Sequence, residues 1–157
     1  MPQPPSATQP GIDYLGIDHL GIAVADLEAA SETYATLLGL PATGAETLSD
    51  RGIEVRFFDT GNARIELLGA THEASEISGF LAKRGPGIHH LCLAVADIDT
   101  AVAGLRQRGA RLVGQGIQAG AHGTRVAFVH PKSSHGVLLE LVERAHTANP
   151  SPRKSSP

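Results

Sequence analysis

The chain has 157 residues, a formal net charge of −3 and 41% hydrophobic residues; that is enough for one or two small cores, and too acidic for a protein that tracks nucleic-acid phosphates. Aromatics are scarce, with no Trp, two Tyr and four Phe, so the interior must come from Ile, Leu, Val and Ala. No apolar run reaches the ~18 residues of a membrane-spanning helix, and the single Cys92 has no disulfide partner, which fits a reducing, cytoplasmic setting.

Residues 1–15 read as a flexible lead, because MPQPPSATQPG lacks the basic-then-apolar order of a secretory signal. Ile17 to Val24 reads as a compact strand. Asp26 is the expected N-cap of a helix carrying Leu27, Ala30, Tyr34, Leu37 and Leu38 at helical spacing, ending at Gly39. Strands are expected near 42–48, 53–59 and 63–69, the last two joined by the turn Thr60-Gly61-Asn62. Residues 73–84 read as a linker helix, and Gly85-Pro86-Gly87 as a hinge.

Then the pattern begins again. GIHHLCLAVADIDTA at 87–101 matches GIDHLGIAVADLEAA at 16–30 in nine of fifteen positions, at an offset of 71. The second copy predicts a strand over 88–95, a helix capped by Asp97 and stopped at Gly109, and strands near 111–114, 124–130 and 136–143. The fold class expected is α+β: two tandem βαβββ modules, 16–71 and 87–145, forming a curved, cup-shaped mixed sheet within a 16–145 domain. Residues 146–157, rich in Pro and Ser, read as a disordered tail.

Each module places one histidine in its first strand, His19 and His90, and one glutamate in its last, Glu66 and Glu140. Taken singly, Glu66 fits an ordinary strand residue facing water, and His19 a hydrogen-bonded core histidine. A carboxylate inside VLLELV is harder to leave unpartnered. Jointly, two His and two Glu at matching points form a donor set for a divalent cation such as Co²⁺, Mn²⁺, Ni²⁺ or Zn²⁺, with coordination positions left for substrate oxygens. Strand alternation sends His89 to the face opposite His90. His130-Pro131-Lys132 reads either as a polar hairpin or as a substrate-facing loop in which Lys132 meets an anion. The glycines of GIQAGAHG, 116–123, fit no nucleotide-binding pattern and read as a flexible rim.

IDHLGIAVADLEAA, GNARIELLGA, FLAKRGPGIHHLCLAVADI and VAFVHPKSSHGVLLELVE together resemble the methylmalonyl-CoA epimerases, a family of the vicinal oxygen chelate superfamily, over residues 16 to 143. The resemblance implies His19, Glu66, His90 and Glu140 as metal ligands, Co²⁺ as the first choice of ion, and Glu140 as the proton-transfer carboxylate. It implies methylmalonyl-CoA as substrate, epimerisation through an enolate, and a homodimer without nucleic-acid or membrane partners. A second carboxylate is implied on the strand after Arg51-Gly52, where the register offers Val55, with Glu54 one step away. A glyoxalase I-type lactoylglutathione lyase, another metalloenzyme of the superfamily, and a non-catalytic binding or resistance protein are the alternatives.

Overall fold

The structure, a computed structural model, describes residues 11–145; the lead over 1–10 and the tail over 146–157 lie outside the described residues. Strand β1 spans Tyr14–Ala23, starting two residues ahead of the expected module boundary. The helix α1, Leu27–Glu32, begins where the Asp26 carboxylate accepts from the Ala29 amide. Strands β2 (Ala42–Leu48), β3 (Ile53–Asp59) and β4 (Arg64–Ala70) complete the first module. After α2 (Glu76–Arg84), the second module runs β5 (Gly87–Val95), α3 (Ile98–Gln107), β6 (Gln118–Ala119), β7 (Arg125–Val129) and β8 (Leu139–Glu143).

The eight strands of the described residues form one mixed, curled sheet in the order β2-β3-β4-β1-β5-β8-β7-β6. The two modules meet along β1 and β5, which run antiparallel. Each is flanked by the last strand of its own module in parallel, β4 on β1 and β8 on β5. The order therefore reads the same outward from the centre in both directions, and the first and last strands of both modules become the four central strands. Those are the strands carrying His19, Glu66, His90 and Glu140.

Three apolar clusters hold the sheet. Ala23, Ile53, Val55, Phe57, Leu68 and Ile77 form one in the first module. Under α3, Val95, Ile98, Ala101, Val102, Ala127 and Leu141 form another, with Ile12 partly buried against it. Cys92, Ala94, Val126, Phe128 and Val142 form the third. Leu141 is 1% exposed, so Leu141→Ala is expected to cost about 2–5 kcal/mol of folding stability, as large-to-small core changes do. Equilibrium urea unfolding measures it, and a loss well below that range would place Leu141 outside the core.

Three expectations are corrected in detail. The first-module helix does not run as α-helix to Gly39; Thr33–Leu37 is a π-turn, closed by the Leu38 amide on the Thr33 carbonyl at 3.2 Å. The extra residue per turn rotates the end of the helix, so Leu37 and Leu38 are exposed instead of continuing the half-buried stripe of Leu27, Ala30 and Tyr34. The strand expected at 111–114 is reduced to a bridge between Leu112 and Val129. Pairing resumes only at β6, because Gly114 and Gly116 take left-handed backbone angles, φ 61° and 108°, that interrupt an extended run. The strand expected from 136 starts at Leu139, since Pro131–Ser133 winds into a 3-10 turn and His135 and Gly136 take φ 54° and 95°.

Candidate metal and proton-transfer site

Register explains how four distant side chains meet. Gly21 of β1 lies opposite His90 of β5 and beside Glu66 of β4. Cys92 of β5 lies opposite His19 and beside Glu140 of β8. Gly21 and Cys92 are themselves 71 positions apart, so each histidine sits over the small residue of the other copy. A Cβ on Gly21 would lie 2.1 Å from the His90 Cε1 atom. The absence of a side chain at position 21 is what admits the His90 ring.

His19, Glu66, His90 and Glu140 are 4%, 5%, 6% and 7% exposed, so Glu66 is not the water-facing strand residue that it resembles when taken alone. The two Nε2 atoms are 3.1 Å apart. Glu140 Oε2 lies 2.8 Å from His90 Nε2 and 3.2 Å from His19 Nε2, and Glu66 Oε2 lies 3.4 Å from His19 Nε2. All four residues line one small, partly open cavity of about 30 Å³. The convergence expected from the repeat is present.

The electrostatics follow from this crowding. Burial alone would lower His19, but hydrogen bonds to Asp18, Cys92 and Glu140 and the charge of Glu66 push it up to about 12. Burial would raise Glu140, yet hydrogen bonds from His19 and His90 hold it down at about 2. Glu66 goes the other way: burial raises it, and the positive charge of His19 only partly opposes that. The cluster thus draws positive charge to the point where its donors meet. His19, Glu66 and His90 form a group that can hold a metal ion. Imidazole and carboxylate donors suit a borderline divalent ion.

Behind His19 lies a support network that repeat and composition did not reveal. Asp18 Oδ1 is 2.7 Å from His19 Nδ1, leaving Nε2 directed at the cavity, the usual carboxylate–histidine device of metal sites. Asp18 is held by Arg64 from β4 at 3.0 Å and by Arg144, just past β8, at 2.8 Å. Burial would raise Asp18, but hydrogen bonds from His19 and Arg144 keep its carboxyl well below the usual carboxylate range. Only the position of Asp18 immediately before His19 hinted at this role; Arg64 and Arg144 carry no local signal. Asp18, His19 and Cys92 form a second geometric group, but burial pushes the Cys92 thiol up to about 12, which leaves it a neutral neighbour.

His89 departs from the alternation expected of a strand. Gly21 pairs with His90 while the next residue, Ile22, pairs with Ile88, so His89 is an extra residue in β5. This bulge turns its ring back to the His90 side, where it joins the cavity wall. Burial, then the charge of His90, lowers His89 to about 4. On β3 it is Val55 that lines the cavity, while Glu54 pairs with Arg56 at 2.7 Å. Lys132 is exposed and is not among the lining residues.

The family profile of the Glyoxalase/Bleomycin resistance protein/Dioxygenase superfamily matches residues 18–128. The ethylmalonyl-CoA/methylmalonyl-CoA epimerase of Cereibacter sphaeroides is 44% identical over 127 residues, covering 80% of this chain and 95% of the relative. The mitochondrial methylmalonyl-CoA epimerase of Homo sapiens is 40% identical over 126 residues, 80% of this chain and 72% of the relative. The chain belongs to the methylmalonyl-CoA epimerase family. The crystal structure of the methylmalonyl-CoA epimerase from Mycobacterium tuberculosis shares this fold with a TM-score of 0.81 at 40% identity, over 88% of this chain and 94% of that one. Neither the lyase nor the binding-protein alternative is favoured by these epimerase relatives. The superfamily profile spans His19, Glu66 and His90 and stops short of Glu140, whose place in the epimerase-family cup follows from the pairing of β8 on β5.

Proposed function

We propose that the chain interconverts the two epimers of methylmalonyl-CoA by removing and returning the α-proton, with His19, Glu66, His90 and Glu140 holding one divalent cation. Convergence of two imidazole Nε2 atoms and two carboxylates inside a buried cavity carries this reading, and the kinship with epimerases supports the substrate. The donor set fits the ion: Nδ1 of each histidine already has a neighbour, so each ring has only Nε2 to offer.

The α-carbon of a methylmalonyl thioester lies between a thioester carbonyl and a carboxylate, so its proton is acidic and its loss gives an enolate. A divalent cation supplies Lewis-acid stabilisation of that oxyanion charge. Glu140, ionised at neutral pH and buried against both histidines, takes the proton as general base. Val55, Leu68 and Phe128 on the cavity wall keep water from the carbanionic carbon. An acid on the other face delivers a proton there and inverts the centre, Glu140 releases the proton it took to solvent before the next turnover, and no redox cofactor is required. Arg51 and Arg64, on the same wall, place positive charge where an anionic acyl group enters.

Cobalt is the ion we assign first, with Mn²⁺, Ni²⁺ and Zn²⁺ sharing the donor preference. The same kinship supports a homodimer, and the free thiol of Cys92 supports a cytoplasmic setting. The test is to incubate one methylmalonyl-CoA epimer with the protein in D₂O, with and without Co²⁺. Metal-dependent deuterium entry at the α-carbon and appearance of the other epimer are expected. Metal-loaded protein that leaves the α-proton in place would refute the activity.

A further inference from the structure

The duplication that pairs His19 with His90 also pairs Asp18 with His89. Both residues immediately precede a histidine, and both reach its Nδ1: Asp18 Oδ1 at 2.7 Å from His19, and His89 Nδ1 at 3.0 Å from His90. In an unbroken strand this could happen on neither side, because successive residues face opposite ways. A register shift between Ile17 and His19 leaves Asp18 out of the β1–β5 pairing, and one between Gly21 and Ile22 leaves out His89, so each side has its own bulge. Phe80 of α2 then braces the His89 ring edge-on, with centroids 5.0 Å apart.

A neutral imidazole carries one N–H. If His90 offers the lone pair of Nε2 to a cation, its proton sits on Nδ1 and needs an acceptor inside a buried wall. We infer that His89 is a positioning residue for His90, accepting the Nδ1–H bond through its own Nδ1 and so fixing the His90 tautomer and ring direction. His89 then carries its proton on Nε2. The two copies thus use one device with different chemistry: a carboxylate behind His19, which strengthens that ligand, and an uncharged imidazole nitrogen behind His90, which orients without adding a fourth negative charge to those of Asp18, Glu66 and Glu140. The bulge at His89 is the backbone feature that makes the second device possible.

The inference rests on the metal reading given under Proposed function, and the experiment separates the two. Full-length wild type, His89→Leu and His89→Asn are titrated with Co²⁺ by visible absorption, and the His90 tautomer is read by ¹⁵N-imidazole NMR of the metal-free proteins. Leucine fills the space without an acceptor, whereas the asparagine carbonyl falls near the position of the His89 Nδ1. His89→Leu is expected to weaken Co²⁺ binding about 10–100-fold, the usual cost of losing an outer-shell partner, and to lose the Nδ1–H tautomer of His90. His89→Asn should restore both to near wild type. If His89→Leu does not fold, His89→Gln, whose amide reaches past the Nδ1 position, takes its place.

Unchanged affinity and tautomer in the leucine variant, or no rescue by asparagine, would overturn the role of His89. A wild type that binds no Co²⁺ would instead remove the metal reading. The metal-free tautomer spectra would then still decide whether His89 sets the state of His90.

Discussion

Glu140→Gln is expected to slow exchange of the α-proton of methylmalonyl-CoA with solvent by about 10²–10⁴-fold, the contribution of a positioned general base. Among the described residues the carboxylate is the one acidic group within 3.2 Å of both histidine Nε2 atoms, and those contacts keep it ionised. Glutamine preserves the side chain's shape and an oxygen donor, but it cannot accept the proton. The variant should therefore stay folded and retain part of its metal affinity while losing turnover. Deuterium incorporation followed by mass spectrometry measures this. Near-normal incorporation by metal-loaded Glu140→Gln protein would take Glu140 out of the base role.

Gly21→Ala should be almost as damaging, for a steric reason. The added methyl would sit 2.1 Å from Cε1 and 2.4 Å from Nδ1 of His90, well inside van der Waals contact, so the ring has to leave its place. Its 2.8 Å contact with Glu140 and its approach to His89 are lost together. A folding cost of about 1–3 kcal/mol is expected for such overpacking. Co²⁺ affinity should fall by more than about 100-fold, beyond the loss of an outer-shell partner, because a ligand itself moves. Isothermal titration and thermal unfolding read the two effects. A Gly21→Ala protein with wild-type Co²⁺ affinity would show that His90 is not held where the register puts it.

The site was largely legible because it is duplicated. A matching His and Glu in each copy, at offsets of 71 and 74, identified side chains that no single strand would have distinguished from core or surface residues. The order of elements was legible as well, since both modules carry the same Asp cap and Gly stop. What local pattern could not supply was geometry created by insertions within elements. The π-turn at Thr33–Leu37 keeps good helical periodicity in sequence while rotating Leu37 and Leu38 outward. The bulge at His89 reverses one side chain without changing a letter, since only pairing against β1 reveals the extra residue. The Arg64–Asp18–Arg144 support joins residues 46 and 126 positions apart, and no short motif encodes that.

These residues build a cup in which each module supplies half of a donor set and its own outer support. The central claim is that a single cation is bound by both halves at once. Cobalt K-edge X-ray absorption of the fully loaded protein tests it most directly. The spectrum is predicted to show a nitrogen and oxygen shell with the outer-sphere scattering of two imidazoles and no sulfur. A sulfur shell would move the ion to Cys92 behind His19, and scattering from only one imidazole would break the centre into separate halves.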